Sequence, residues 1–571
     1  MKLTYNIKLS LVVALLAIGI AGCRKDLEQL PETQLIDGGY WKTPSDLALG
    51  CNYLYTFLPG FAGDPTNNPT TYSDNYSDDA YGSGSNTIGN GSRNAPATSP
   101  EWTNFYKLIR AANNIIEKSA NISGDAALIN KYVGEARFFR AYAYFELVKR
   151  FGDVPYVDKT LKSGDPELYS ARTPRQQIID KIFADLDFAA TSCPQADIQQ
   201  NANEYGRINR AAALAFKSRV GLFEGTWDKY RNLPTATANL KVAVDASKLV
   251  MDEAKHSLYK AQGAESYYYE FQYNNGLNGN PIQTKAGPQV NYTYTSNQEN
   301  ILVRLYGTNP SNVVSSHSYM RGNLEQGGIA PTRNLADAYL NRDGTVSNGT
   351  GGTTSSLDEF QNRDPRMEQT IWNKTMKYPS IGGLINYIPG TNYRIRKYFT
   401  VGDWFPQQSF LNYNVIRYAE VLLNYAEATY ELNSSISDDD LNKTINELRN
   451  RATANNPSLL PLLTNVTVPT GSTMLNEIRR ERRVELAFEG FRYWDLLRWK
   501  TAETVLPQAV LGRKYFAAED PASAKPPIQI NGFVRLEPAS TRVFNPSKHY
   551  LWPLPTNELA LNKNLTQNPN W

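Results

Sequence analysis

Apolar residues recur at spacings of three and four in one block after another along this chain. That period fits amphipathic helices packed on a shared core. The blocks span residues 102–118, 131–151, 174–190, 209–227, 240–253, 413–432, 439–452 and 473–500. Most begin roughly thirty residues after the one before, near the period of tetratricopeptide-like helix hairpins, although the repeat consensus is missing. Small residues such as Ala136, Ala141, Ala143 and Ala211 to Ala213 suit close helix contacts. A mainly α fold of helix-hairpin repeats is expected, with a loop-rich, variable second half. "SISDDDL" ahead of residue 442 fits a helix start, because acidic residues favour the positive end of the dipole and serine caps it.

The block with the densest charge reads "IRRERRVELAFEGFRYWDLLRW", residues 478–499. Val484, Ala487, Phe488, Phe491, Trp494 and Leu497 share one helical face, and Gly490 marks a kink or break. The charges fall off that face with alternating sign, as pairs worth about 0.2–0.5 kcal/mol each on an exposed helix. Little positive field is left for phosphates, so nucleic-acid binding is excluded. The net charge of +3 points to no particular partner.

The N-terminus bears on the compartment. Lys2 and Lys8 precede an apolar run from Leu9 to Ala21 that ends "GIAGC" at Cys23. The run is shorter than the roughly 20 residues of a spanning helix, and its basic flank and small residues before the cut read as a signal peptide over 1–22. Cleavage at a lipobox would leave Cys23 acylated, with residues 23–38 as a polar tether and 39–571 as one domain; ordinary secretion with an unmodified Cys23 is the alternative. Several acyl chains on one cysteine meet the requirement for stable anchoring. Cys51 and Cys193 remain, as a disulfide or as two free thiols. His256, His317 and His549 show no metal-ligand spacing, so no metal site is expected.

Two polar, tyrosine-rich inserts interrupt the helices, at about 61–100 and 265–410. Loops this long are functional or disordered, and their aromatic content argues against disorder. "SNGTGGTTSS", 347–356, has no such anchors and reads as a mobile tip. Asp74, Asp78 and Asp79 are the carboxylates that a glycoside hydrolase would need across a cleft of about 5–5.5 or 6.5–9.5 Å, but only composition nominates them. No GxSxG, HExxH or Walker element is present, and no cofactor is implied.

The blocks "RFFRAYAYFELVKRFGDVPYV", "NRDPRM", "RYAEVLLNYAEA", "INELRNRA", the stretch 478–499 and the C-terminal "YLWPLPTNELALNKNLTQNPNW" together resemble the SusD/RagB family of Bacteroidetes surface lipoproteins. The resemblance implies a non-catalytic binder, lipid-anchored on the outer face of the outer membrane. It would sit on a SusC-like TonB-dependent transporter and capture an oligosaccharide or, alternatively, an oligopeptide. It places ligand contacts in the regions matching 72–99 and 292–321. The residues there that offer apolar rings with polar tips, or partners for hydroxyls, are Tyr72, Asn75, Tyr76, Asp78, Tyr81, Asn86, Arg93, Tyr292, Tyr294, Tyr319 and Arg321. Each tyrosine is equally able to pack its own loop. Because 478–499 matches a core element of the family, Arg482, Arg492, Trp494 and Trp499 are expected to be scaffold. Two departures stand out: the first loop lacks the tryptophan many members carry, and "QNPNW" has Asn570 where the family usually has glycine.

Overall fold

The molecule is represented by a computed structural model that describes residues 40–61, 71–195, 204–272, 297–306, 317–319, 328–373, 376, 390–399, 409, 411–520, 528 and 531–571, with Thr71 and Tyr72 described in backbone only. The first half is a stack of helices: α1 Pro44–Leu54, α2 Pro100–Ser119, α3 Ala126–Phe151, α4 Arg175–Ser192, α5 Arg210–Lys229 and α6 Ala236–Asp252. Side chains of Ser99, Asp125 and Asn209 accept from the first-turn backbone N–H groups of α2, α3 and α5, which satisfies donors that a helix start leaves open. From α2 onward each helix packs on the next, as hairpin repeats require. The alanines at 136, 141, 143 and 211–213 are all buried. The tightest approach depends on glycine. A Cβ at Gly225 would lie 2.7 Å from the backbone N of Leu240, and one at Gly221 would lie 2.8 Å from that of Ala243, so α5 and α6 meet backbone to backbone.

The second half holds α7 Tyr418–Asn433, α8 Asp438–Lys443, α9 Ile445–Thr453, α10 Met474–Glu485 and α11 Arg492–Arg498. Three antiparallel strand pairs join distant loops: β1 Ala80–Gly82 with β3 Ile329–Pro331, β2 Asn300–Arg304 with β4 Tyr413–Arg417, and β5 Val510–Lys514 with β6 Phe533–Glu537. Three expected helices therefore change. Residues 413–417 form a strand, where Tyr413, Val415 and Ile416 suit a ladder and β2 supplies the partner. The 439–452 block breaks at Thr444; Ser437 caps it as expected, its hydroxyl accepting from Asp440 N at 3.0 Å. The 473–500 block stops at Glu485 and restarts at Arg492, with Phe488 at φ 63° and Gly490 at φ 81° between. The apolar stripe is thus shared by two helices and a turn.

The acids of that stretch, with Arg482 and Arg498, are buried rather than exposed. Arg417 on β4 reaches Glu299 at 2.8 Å, Glu485 at 2.7 Å and Glu489 at 2.8 Å. Arg451 pairs with Glu299 and Glu485, Arg366 with Asp364, Glu481 and Glu485, Arg449 with Glu481, and Lys397 with Glu489. Five cations meet five carboxylates, and no side chain among them is more than 3% exposed. "NRDPRM", "RYAEV", "INELRNRA" and the 478–499 stretch supply eight of these ten groups. Motifs far apart in sequence are thus the two halves of one charge-balanced core.

The 347–356 segment differs from the expected mobile tip. The Asp358 carboxylate accepts from the backbone N–H groups of Thr354 at 2.7 Å and Ser355 at 3.0 Å, and Ser356 is buried. Cys51 and Cys193 are both free and buried. Asn570, in the place of the family's usual glycine, sits at φ 61°, a left-handed conformation that asparagine tolerates better than most residues.

Candidate functional site: a polar recess beneath the first insert

The first insert is latched to the core by its own acids. Asp78 accepts from Arg492 Nε at 2.8 Å and Arg483 Nη2 at 2.9 Å, and Asp79 from Arg483 Nε at 2.7 Å. Burial opposes the Asp78 charge, yet Arg483 and Arg492 hold its carboxyl well below the usual carboxylate range. Asp74 accepts from Gly490 N at 3.0 Å, and burial together with Asp79 pushes it up. Gly490 therefore does more than end a helix: its N–H and carbonyl, the latter taking the Ser73 hydroxyl at 3.1 Å, are the dock for the loop. These three carboxylates are committed to the latch. Asp78 is thereby removed from the sugar-contact set, and all three are removed as a flanking pair for hydrolysis.

Beyond the latch the insert turns back on itself. Asn86 Oδ1 accepts from Ile88 N at 2.8 Å and Gly89 N at 3.1 Å, and Arg93 N donates to Thr87 O at 3.0 Å. Gly91, at φ 76°, packs so closely on the Val543 carbonyl that a Cβ would overlap it at 1.7 Å. This rigid turn roofs a recess of about 350 Å³ whose lining includes Asn75, Tyr76, Asn86, Glu101, Lys149 and Arg150. An outer hollow of about 410 Å³ continues it past Thr87, Arg93, Thr98 and Glu101.

The recess floor is the end of α3. Glu146, Lys149 and Arg150 come together at steps of three and four, with Lys149 Nζ 2.5 Å from Glu146 and Arg150 on the same carboxylate. Two cations in the last turn suit the negative end of the helix dipole. Glu146 is held down to about 2, because Lys149 and Arg150 outweigh its burial; burial, reinforced by Arg150, presses Lys149 down to about 8. Trp552 is fixed over this floor by its backbone N–H on the Arg150 carbonyl at 2.6 Å and its indole N–H on the Tyr493 hydroxyl at 3.3 Å. Arg93 lies 3.9 Å from the Trp552 ring centroid, and Trp494 packs 5.9 Å from it.

Four of the expected contact residues meet here: Asn75, Tyr76 and Asn86 line the recess and Arg93 lines the outer hollow. Tyr81 stands half-buried on β1 and lines neither. Tyr319 does not join them: it is 1% exposed, with its ring 4.9 Å from that of Phe61, and belongs to the core. Cys23, Tyr292, Tyr294, Arg321 and the Tyr72 side chain lie outside the described residues. Sequence reasoning missed Lys149, Arg150 and Trp552, whose only signal was membership of family-like blocks, and Glu101, which lies between the first insert and the 102–118 helical block and carried no signal. It also set Trp494 and Arg482 apart as scaffold; both are buried, yet both form part of the recess wall.

Comparison with known proteins agrees with this architecture. A model described as the SusD family matches residues 290–571, and one described as starch-binding associating with outer membrane matches residues 51–222. The chain belongs to the SusD/RagB family. Among SusD-like relatives, SusD-like protein P2 of Formosa agariphila is 26% identical over 586 residues, spanning 98% of each chain. The crystal structure of a SusD-like carbohydrate binding protein from Bacteroides fragilis superposes with a TM-score of 0.74 at 26% identity, covering 92% of this chain and 100% of that one. A second SusD-like structure from that organism has a TM-score of 0.70 at 22% identity, with 94% and 99% covered. The fold is accordingly the mainly α SusD-like one.

Proposed function

We propose that this chain is a non-catalytic, surface-exposed outer-membrane lipoprotein, anchored through Cys23, that captures an oligosaccharide and passes it to a SusC-like TonB-dependent transporter. The observation that carries the binding part is the convergence of Asn75, Tyr76 and Asn86 on one recess at the end of α3, with Arg93 in the hollow that continues it. Amide and guanidinium groups there face space large enough for sugar hydroxyls, and the Tyr76 and Tyr81 rings remain partly open. The Bacteroides fragilis neighbour named as carbohydrate binding supports this reading. No described helix is long and apolar enough to cross a membrane.

Binding is tested by calorimetry of the mature chain against glycan and peptide panels. Weak binding is expected, with Kd between about 1 μM and 1 mM, or roughly −8 to −4 kcal/mol. Trp494 and Trp552 line the recess, so a bound glycan is also expected to change tryptophan fluorescence. Binding of peptides alone would replace the glycan reading with an oligopeptide one, and cleavage of the ligand would overturn the non-catalytic part. Palmitate labelling lost in Cys23→Ala tests the anchor. Affinity purification in mild detergent tests the transporter, and repeated recovery of no barrel protein would refute it.

A further inference from the structure

The charges around the recess do not cancel as those of the core do. Deeper cations in its wall are fully engaged: Arg219 with Glu420 at 2.6 Å, Arg482 with Asp495 at 3.0 Å, and Arg498 with Glu427 at 2.6 Å. Nearer the opening the balance changes. Lys149 and Arg150 share the single carboxylate of Glu146, and Arg93 has no carboxylate within ion-pair distance among the described residues. Glu101 is the other acid at this level. Burial works against its charge, yet Arg150, the Ser99 hydroxyl and Arg93 keep it below the usual range. Three cations therefore face two carboxylates.

Hydrogen bonding shows the same surplus. Arg93 Nη1 and Arg150 Nε are buried without an acceptor among the described residues. Buried N–H groups are ordinarily paired, and a guanidinium presents a planar fork matched to oxyanions. Arg93 is also pre-positioned, stacked on Trp552 at 3.9 Å and held in the turn that Gly91 permits. The indoles at this place give a neutral sugar no bare platform: Trp552 is 3% exposed and Trp494 6%.

We propose that the recess selects oligosaccharides carrying an anionic group, a uronate carboxylate or a sulfate ester, which accepts hydrogen bonds from Arg93 and Arg150. This rests on the glycan reading above and narrows it to acidic chains.

The test is calorimetry of the mature chain with oligogalacturonate, a sulfated galactan oligosaccharide, a neutral laminari-oligosaccharide and an acidic peptide, at low and at physiological salt. An acidic saccharide is expected to bind at least about tenfold tighter than the neutral one, the scale of one charge-assisted hydrogen bond, and to weaken as salt rises. The first two ligands separate carboxylate from sulfate. Arg93→Gln is expected to remove the preference, weakening the acidic saccharides at least about tenfold more than the neutral one, and Arg93→Lys to keep part of it; unfolding midpoints check that each variant is folded. Equal or tighter binding of the neutral glycan, or a preference that survives Arg93→Gln, overturns the inference and leaves the glycan reading standing. Binding of the peptide with no saccharide bound overturns both.

Discussion

Replacing Arg417 with methionine tests whether the buried ion network holds the distant motifs of the second half together. The guanidinium makes five hydrogen bonds of 2.7–2.8 Å, to Glu299, to both oxygens of Glu489, and to the side chain and carbonyl of Glu485. At about 1.5–3 kcal/mol per charged hydrogen bond a simple sum would exceed 7 kcal/mol, but water and relaxation recover part of that. The better guide is the loss of about 3–5 kcal/mol seen when one partner of a buried pair is removed. Here it leaves five carboxylates facing four cations, and Glu485, whose acidity depends on Arg451, Arg417 and Arg366 outweighing its burial, loses one of the three. With an unfolding entropy of about 2.1 cal/mol/K per residue over about 530 residues, 1 kcal/mol moves Tm by about 1 °C. Arg417→Met is therefore expected to lower Tm by about 3–5 °C in a calorimetric scan with one cooperative transition. Adding Glu489→Gln is expected to recover part of the loss, with a coupling of about 0.5–3 kcal/mol. The exposed Lys241–Asp245 pair, equally well formed at 2.9 Å, is the control: Lys241→Met is expected to leave Tm unchanged. A shift below about 1 °C for Arg417→Met would refute the argument that charge balance in this core matters.

Two further outcomes follow from the latch and from the buried acids. Asp78→Asn weakens the contacts to Arg483 and Arg492; limited proteolysis is expected to cut within 71–99 faster than in the parent, and equal cutting rates would contradict the latch. Glu146 and Glu427 are held down to about 2 from the ordinary 4.5 by arginine and lysine neighbours that outweigh their burial. Their stabilisation is complete above pH 4.5 and is lost as pH falls toward 2, because the unfolded chain then binds protons that the folded one resists. Asp74 and Glu270 are pushed the other way by burial and neighbouring acids and offset part of that loss. Tm is expected to drop steeply between pH 4.5 and pH 2.5 (values set by those same shifts), and a flat profile there would show that the depressed acids contribute little.

Replacing loop tyrosines is not a neutral way to probe binding. Tyr76 lies edge-on to Tyr493 at 5.6 Å, and Tyr319 is core. Both substitutions to alanine would lower stability, so a loss of binding would not isolate a ligand contact, which is why Arg93, at the rim, is the better probe.

The helices of the first half were legible because their apolar period, caps and alanines are local properties of the chain. The break at Gly490 was legible for the same reason. The close meeting of α5 and α6 was not, because Gly221 and Gly225 reveal their role only when another backbone lies against them. Residues 413–417 read as helix until β2, more than a hundred positions away, supplied a ladder. Asp78 and Tyr319 read as surface groups in a polar insert, and only their distant partners, Arg483 with Arg492 and Phe61, place them inside.

The sequence by itself determined the helical class, the break at Gly490, the inserts and, through its motif blocks, the family. Tertiary structure decided the sign and depth of each charge's surroundings. Periodicity reports which face of a helix a residue occupies, but not what packs against that face. So the same alternating charges that suit an exposed helix became a closed core network between α10 and β4, while three cations beside the recess were left with two acids.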